Sequence, residues 1–127
     1  MKTRSLFIVA AVLEGAIGLA LLVVPAEVVR ILLGTAFEAP AGSVVARVAG
    51  AALLALALAN WHARRSEPSA AATGIVAAMF FYNAAAAVVL AYAGIGLHLY
   101  SIALWPTVVL HLAMAVWCLG CLLGKGR

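Results

Sequence analysis

Four long runs of apolar residues alternate with short polar stretches along the chain. They cover residues 6–24, 44–59, 70–93 and 102–123, and charged side chains are almost absent from them. The hydrocarbon core of a bilayer is about 30 Å thick and needs a helix of roughly 20 apolar residues to cross it. A helix of a soluble bundle would need a polar face instead. The pattern therefore predicts four transmembrane helices, at about 5–24, 43–61, 70–93 and 105–123.

The segment after the first run carries the signals of a shorter helix. Pro25 ends the first helix or opens the next one, because proline cannot continue a helical hydrogen-bond ladder. Residues 26–33 are too few to span a bilayer, and Gly34 is a typical stop signal. We expect a short helix lying in the membrane interface, with Glu27 and Arg30 facing water.

The composition places the chain in the membrane class. Of its 127 residues, 68% are hydrophobic and 9% are charged, and the mean hydropathy is +1.20. These values lie far from those of soluble globular proteins, and the length is that of one domain. We therefore expect an all-α protein in which residues 1–127 form one integral membrane domain, an antiparallel four-helix transmembrane bundle in contact with the lipid bilayer.

The distribution of basic residues predicts the orientation in the membrane. The formal net charge is +4, but the basic residues are few and lie at the ends of the apolar runs, so nucleic acid is not an expected partner. Those on one predicted side are Lys2, Arg4, Arg64, Arg65, Lys125 and Arg127. The positive-inside rule then places both termini in the cytoplasm. We predict a multi-pass protein of the bacterial inner membrane.

Each predicted span carries one strongly polar side chain, and these are Glu14, Arg47, Asn83 and His111. At about 1.5 Å per residue, Glu14 lies ~13 Å from the inner edge and the other three lie near ~18–21 Å. An unpaired charge at this depth costs on the order of 3 kcal/mol, so we expect Glu14 to pair with Arg47. The predicted cluster is either a neutralised clamp or a polar pocket for a small ligand.

Cys118 and Cys121 form a CxxC sequence in the last run. In this feature the chain resembles the four-helix membrane thiol oxidoreductases of the vitamin K epoxide reductase and disulfide-bond-formation types. The chain has no second cysteine pair to relay electrons, and its CxxC lies at the predicted cytoplasmic end, where thiols stay reduced. We interpret both cysteines as small apolar packing residues, with membrane thiol redox activity as the alternative. No catalytic residue, metal or other cofactor is predicted.

The first helix resembles that of the small multidrug resistance transporters, four-helix proteins with a single glutamate in their first helix. The residues concerned are Ala11-Val-Leu-Glu14-Gly-Ala-Ile-Gly18. The resemblance covers this helix only and implies a proton-coupled role for Glu14. With Glu-Gly-x-x-Gly in its first helix and Arg-Val-x-Gly in its second, the whole chain resembles small four-helix bacterial integral membrane proteins that remain uncharacterised. That resemblance implies a fold and no activity.

Two functions follow as expectations. The first is a small inner-membrane protein without catalysis of its own, which acts as a structural or interaction protein built around the buried polar cluster. Its partners would be further copies of the chain or another membrane subunit. The alternative is a proton-linked small-molecule transporter that uses Glu14.

Overall fold

The computed structural model of the protein describes residues 3–37 and 39–124, and this part of the chain contains helices and no strand. The helices are α1 (Thr3–Val23), α2 (Pro25–Leu33), α3 (Pro40–Ala63), α4 (Ala70–Ile95) and α5 (Leu104–Leu123). All but α2 are long and apolar enough to cross a membrane. The prediction of an all-helical chain with four such helices is confirmed. Lys2, Lys125 and Arg127, used above for the orientation, lie outside the described residues.

Proline and serine residues set the first turns of several helices. Pro25 opens α2 and Pro40 opens α3, where a missing backbone N–H costs nothing because it has no intrahelical partner. For this reason α3 starts three residues before the predicted position at residue 43. Ser69 caps α4, and its hydroxyl oxygen accepts a hydrogen bond of 3.2 Å from the N–H of Ala72.

The short helix α2 is held against the loop that precedes α5. Gly34 ends α2 with φ at 75°, a left-handed conformation that suits glycine, and the backbone carbonyl of Tyr100 occupies the space a side chain would need. The hydroxyl of Ser101 donates to the carbonyl of Leu32 over 2.7 Å. Glu27 and Arg30 are exposed and form an ion pair of 2.6 Å.

The long helices associate mainly as two pairs, α1 with α3 and α4 with α5. In the first pair the backbones touch at two glycines. A Cβ atom added to Gly18 would lie 2.8 Å from the carbonyl oxygen of Gly50, and one added to Gly50 would lie 2.7 Å from that of Gly18. Small residues of this kind let helices approach closely where no hydrophobic effect drives them together.

The two helix pairs share one apolar core. It lies at the end of the molecule where α1 and α4 begin and where α3 and α5 end. Its buried residues are Leu6, Phe7, Ala10, Ala63, Ala72, Val76, Met79, Met114, Cys118 and Cys121. The polar side chains of the spans lie next to this core and beyond it.

Candidate functional site

Glu14 and Asn60 form a buried acid–amide pair between α1 and α3. The exposed fraction is 8% for Glu14 and 0% for Asn60. The side-chain amide nitrogen Nδ2 of Asn60 donates to Oε2 of Glu14 over 2.7 Å. The amide oxygen Oδ1 of Asn60 is also buried and has no hydrogen-bond partner. The pair therefore contains one open acceptor that a proton on Glu14 could satisfy.

Arg47 does not meet Glu14, so the predicted pairing of these two residues is wrong. Arg47 is exposed and donates to the backbone carbonyl of Leu22, close to the end of α1. Leu22 lies about 12 Å further along α1 than Glu14, beyond the reach of the same arginine. Among the residues that the structure describes, the only ion pair joins Glu27 and Arg30.

Asn83 and His111 form the second polar pair, between α4 and α5. Nδ1 of His111 lies 2.9 Å from Oδ1 of Asn83, and Nδ2 of Asn83 donates to the carbonyl of Met79 over 2.9 Å. Because Oδ1 of Asn83 can only accept, Nδ1 of His111 carries the hydrogen and donates it. The Tyr82 ring lies edge-on to the imidazole, with centroids 5.7 Å apart. This leaves Nε2 of a neutral His111 as a free lone pair.

The predicted four-residue cluster is thus divided in the structure. Asn83 and His111 pair with each other, Glu14 pairs with Asn60, which was not predicted, and Arg47 belongs to neither pair. Asn60 was missed because its position beside Trp61 suggests the membrane interface and not the interior. A signal was present in the spacing, since Ala46, Gly50, Leu53, Ala57 and Asn60 follow one helix face at alternating steps of four and three, and all five are buried.

The two cysteines lie in the shared core. Cys118 and Cys121 are free thiols and both are buried among apolar side chains. Within residues 3–37 and 39–124, no three His, Cys, Asp or Glu side chains are grouped so that they could hold a metal ion.

Two cavities lie on the surface of the described part of the chain, and none of the residues of the two polar pairs lines either of them. The larger, of about 330 Å³, is an apolar groove between α1 and α3 that runs from Trp61 past Gly15 to Leu54. The smaller, of about 80 Å³, lies where α1 begins and α3 ends, and Arg4 and Arg64 line it. These two cavities therefore offer no polar pocket built on Glu14, Asn60, Asn83 or His111.

The chain matches no protein-family model, no curated protein and no solved structure.

Proposed function

We propose that this protein is an antiparallel four-helix integral protein of the bacterial inner membrane, with both termini in the cytoplasm and without catalysis of its own. It acts as a structural or interaction protein built around buried polar pairs. The contacts of α1 with α3 support the antiparallel arrangement, because Gly15 lies at Ala57 whereas Gly18 lies at Gly50 and Leu54. Arg4, Arg64 and Arg65 support a cytoplasmic location for the end where α3 meets α4.

One observation supports the structural function: Glu14, Asn60, Asn83, His111 and Arg47 each make at least one hydrogen bond to another group of the protein. Glu14 accepts from Asn60, Asn83 accepts from His111, and Arg47 donates to a backbone carbonyl. Ligand pockets usually bring a few convergent polar groups to a concave surface. Here the polar groups join pairs of helices, as hydrogen bonds between side chains do in membrane bundles.

The apolar outer surface supplies the means of interaction. Valine, leucine and aromatic side chains remain exposed along every long helix, including Val12, Val48, Phe81 and Val116. Such a surface suits lipid and neighbouring helices in a bilayer. Further copies of this chain or another membrane subunit are the partners this surface fits.

The first test is biochemical. Full-length protein should remain in the membrane fraction after carbonate washing, and in mild detergent it should keep its thermal midpoint after Glu14→Gln, which retains the shape and hydrogen bonds of a neutral acid. Vesicles containing wild-type or Glu14→Gln protein should hold an imposed pH gradient equally well. Extraction by carbonate would refute the membrane assignment, and a gradient collapse specific to the wild type would refute the structural function.

A proton-linked transporter that uses Glu14 is the second candidate, and the environment of Glu14 favours it. The predicted Arg47 partner would hold the carboxylate ionised, but an amide occupies that place. A buried carboxyl group without a neighbouring cation costs much less free energy when it binds a proton and is neutral than when it stays ionised. A protonated Glu14 could donate to Oδ1 of Asn60 while accepting from Nδ2, which would satisfy both groups.

Efflux of ethidium, a lipophilic cation, tests this second candidate. Vesicles with an inward proton gradient should extrude ethidium when they contain wild-type protein and should fail with Glu14→Gln. The matched control is Glu27→Gln, which removes an exposed carboxylate and should leave efflux unchanged. Equal ethidium movement in all three would remove this transport activity from consideration.

A further inference from the structure

Three arginines come together where α1 begins and α3 ends. Arg4 lies in the first turn of α1, and Arg64 and Arg65 follow α3. Desolvation of the guanidinium, and after it the charges of Arg65 and Arg4, lower the pKa of Arg64, so both neighbouring cations lie close enough to act on Arg64. None of the three has a carboxylate partner among residues 3–37 and 39–124. This group of cations therefore has no ion-pair partner within the described protein.

The small cavity of about 80 Å³ lies at this group and is suited to an anionic head. Arg4 and Arg64 line it together with the hydroxyl residues Thr3 and Ser66, and Phe7 gives it an apolar wall. Arginine and hydroxyl groups are the usual donors to phosphate oxygens. Glu67 also lines the cavity and would repel an anion, so the net charge of the lining and of neighbouring Arg65 is still positive.

Trp61 connects this basic cavity to the apolar groove. The guanidinium of Arg64 lies 3.4 Å from the centroid of the Trp61 ring, and one of its N–H groups donates to the Trp61 carbonyl. The other N–H groups of the guanidinium remain as donors for an anion. Trp61 in turn lines the groove of about 330 Å³, which continues past Gly15 and Ala57 to Leu54. The basic cavity and the apolar groove therefore adjoin each other at Arg64 and Trp61.

We propose that this surface binds one anionic phospholipid, with its phosphate at Arg4 and Arg64 and one acyl chain in the groove between α1 and α3. Cationic cavities at the cytoplasmic ends of membrane helices are suited to anionic lipid heads, and the groove adds an apolar contact that free phosphate cannot make. A zwitterionic lipid would bring an ammonium group among the arginines and bind less well. This inference depends on the proposed membrane location of this end.

Native mass spectrometry of the full chain in mild detergent tests the proposal. With phosphatidylglycerol and phosphatidylcholine of the same acyl length, the wild type should retain phosphatidylglycerol preferentially. Each arginine removed by Arg4→Gln or Arg64→Gln should lower this retention by roughly fivefold. The matched control is Arg30→Gln, an exposed arginine paired with Glu27, which should have no effect.

Two further variants separate the head site from the groove. Glu67→Gln removes the repelling carboxylate and should raise phosphatidylglycerol retention. Gly15→Leu fills the groove and should lower retention of the long-chain lipid while leaving competition by inorganic phosphate unchanged. If Gly15→Leu does not fold, Glu67→Gln and the arginine variants still test whether the head group binds at this cavity.

Three outcomes would overturn the lipid site: equal retention of both lipids by the wild type, unchanged retention in Arg64→Gln, or inorganic phosphate displacing the lipid at equal concentration. The last would leave an anion site without an acyl chain. Carbonate washing separates this failure from that of the proposed function. A protein that stays in the membrane but lacks lipid preference refutes only the lipid site.

Discussion

Removing either member of the Glu14–Asn60 pair leaves the other buried without its partner. An unsatisfied buried polar group costs about 1–3 kcal/mol, whereas replacing both partners by apolar groups can be nearly neutral. We therefore expect Glu14→Leu and Asn60→Leu each to destabilise the protein in detergent. The double variant should be about 1 kcal/mol less harmful than their sum.

Thermal or denaturant unfolding of the four proteins gives this coupling energy directly. The exposed pair Glu27 and Arg30 offers a control cycle, in which Glu27→Gln and Arg30→Gln should each change stability by less than about 1 kcal/mol. Additivity of Glu14→Leu and Asn60→Leu within roughly 0.5 kcal/mol would mean that the hydrogen bond contributes nothing to stability.

The imidazole of His111 offers a second measurement on a single residue. Since Asn83 accepts from Nδ1, the neutral ring should carry its hydrogen on Nδ1, the less common tautomer for a free histidine. Nitrogen NMR of histidine-labelled protein should show this tautomer at His111, and Asn83→Leu should abolish it there, whereas His62, whose Nδ1 faces the carbonyl of Leu58, should keep it. The signal is assigned by its loss in His111→Gln, since His62 and His98 remain. A hydrogen on Nε2 in the wild type would contradict the assigned bond.

At the scale of helices, the sequence predicted how long each helix is and where it ends. It did not predict which side of each helix packs against its neighbours. The bounds of the long helices follow from the length of each apolar run and, after α1, from Pro25, and they agree with the predicted ones within three residues. The largest difference is at the start of α3, where Pro40 opens the helix three residues early. The buried side of a helix can be predicted only when its apolar and polar sides differ. These helices are apolar all round, so the difference is small.

The partner of Glu14 is set by the register of α1 against α3. The hydropathy pattern along the chain does not show how two helices align. The contact between Gly18 and Gly50 places Gly15 at Ala57, and the next turn brings Asn60 to Glu14. The same register carries Arg47 to the far end of α1, at Leu22. Depth counted from the end of each helix separately cannot give this alignment, and that is why Arg47 was assigned to the wrong partner.

The glycine contact itself gives a prediction about the α1–α3 pair. Gly18→Ala would place a methyl group 2.8 Å from a backbone carbonyl oxygen, so the helices must separate. We expect a loss of about 1–3 kcal/mol in the free energy of unfolding, typical of overpacking. Gly74→Ala is the matched control, because the space around Gly74 is open and alanine favours a helix. Equal midpoints for Gly18→Ala and Gly74→Ala would show that the two backbones do not touch.

At the scale of the whole molecule, the two ends of the helix bundle differ. The apolar core and the arginines Arg4, Arg64 and Arg65 lie at one end, whereas α2 and the loop before α5 lie at the other. The positive-inside rule predicts that the first end is cytoplasmic. The predicted orientation therefore assigns opposite sides of the membrane to Thr35 and Ser66, which are both exposed.

Cysteine labelling tests that assignment. The native Cys118 and Cys121 are buried and should react slowly with a membrane-impermeant maleimide, so a single introduced thiol dominates the signal. In spheroplasts, Thr35→Cys should be labelled at once, and Ser66→Cys only after the membrane is permeabilised. The unmodified chain serves as the background control. Labelling of both positions from outside would contradict membrane spans between them, and labelling of Ser66→Cys alone would invert the proposed topology and move the arginine group to the outer leaflet.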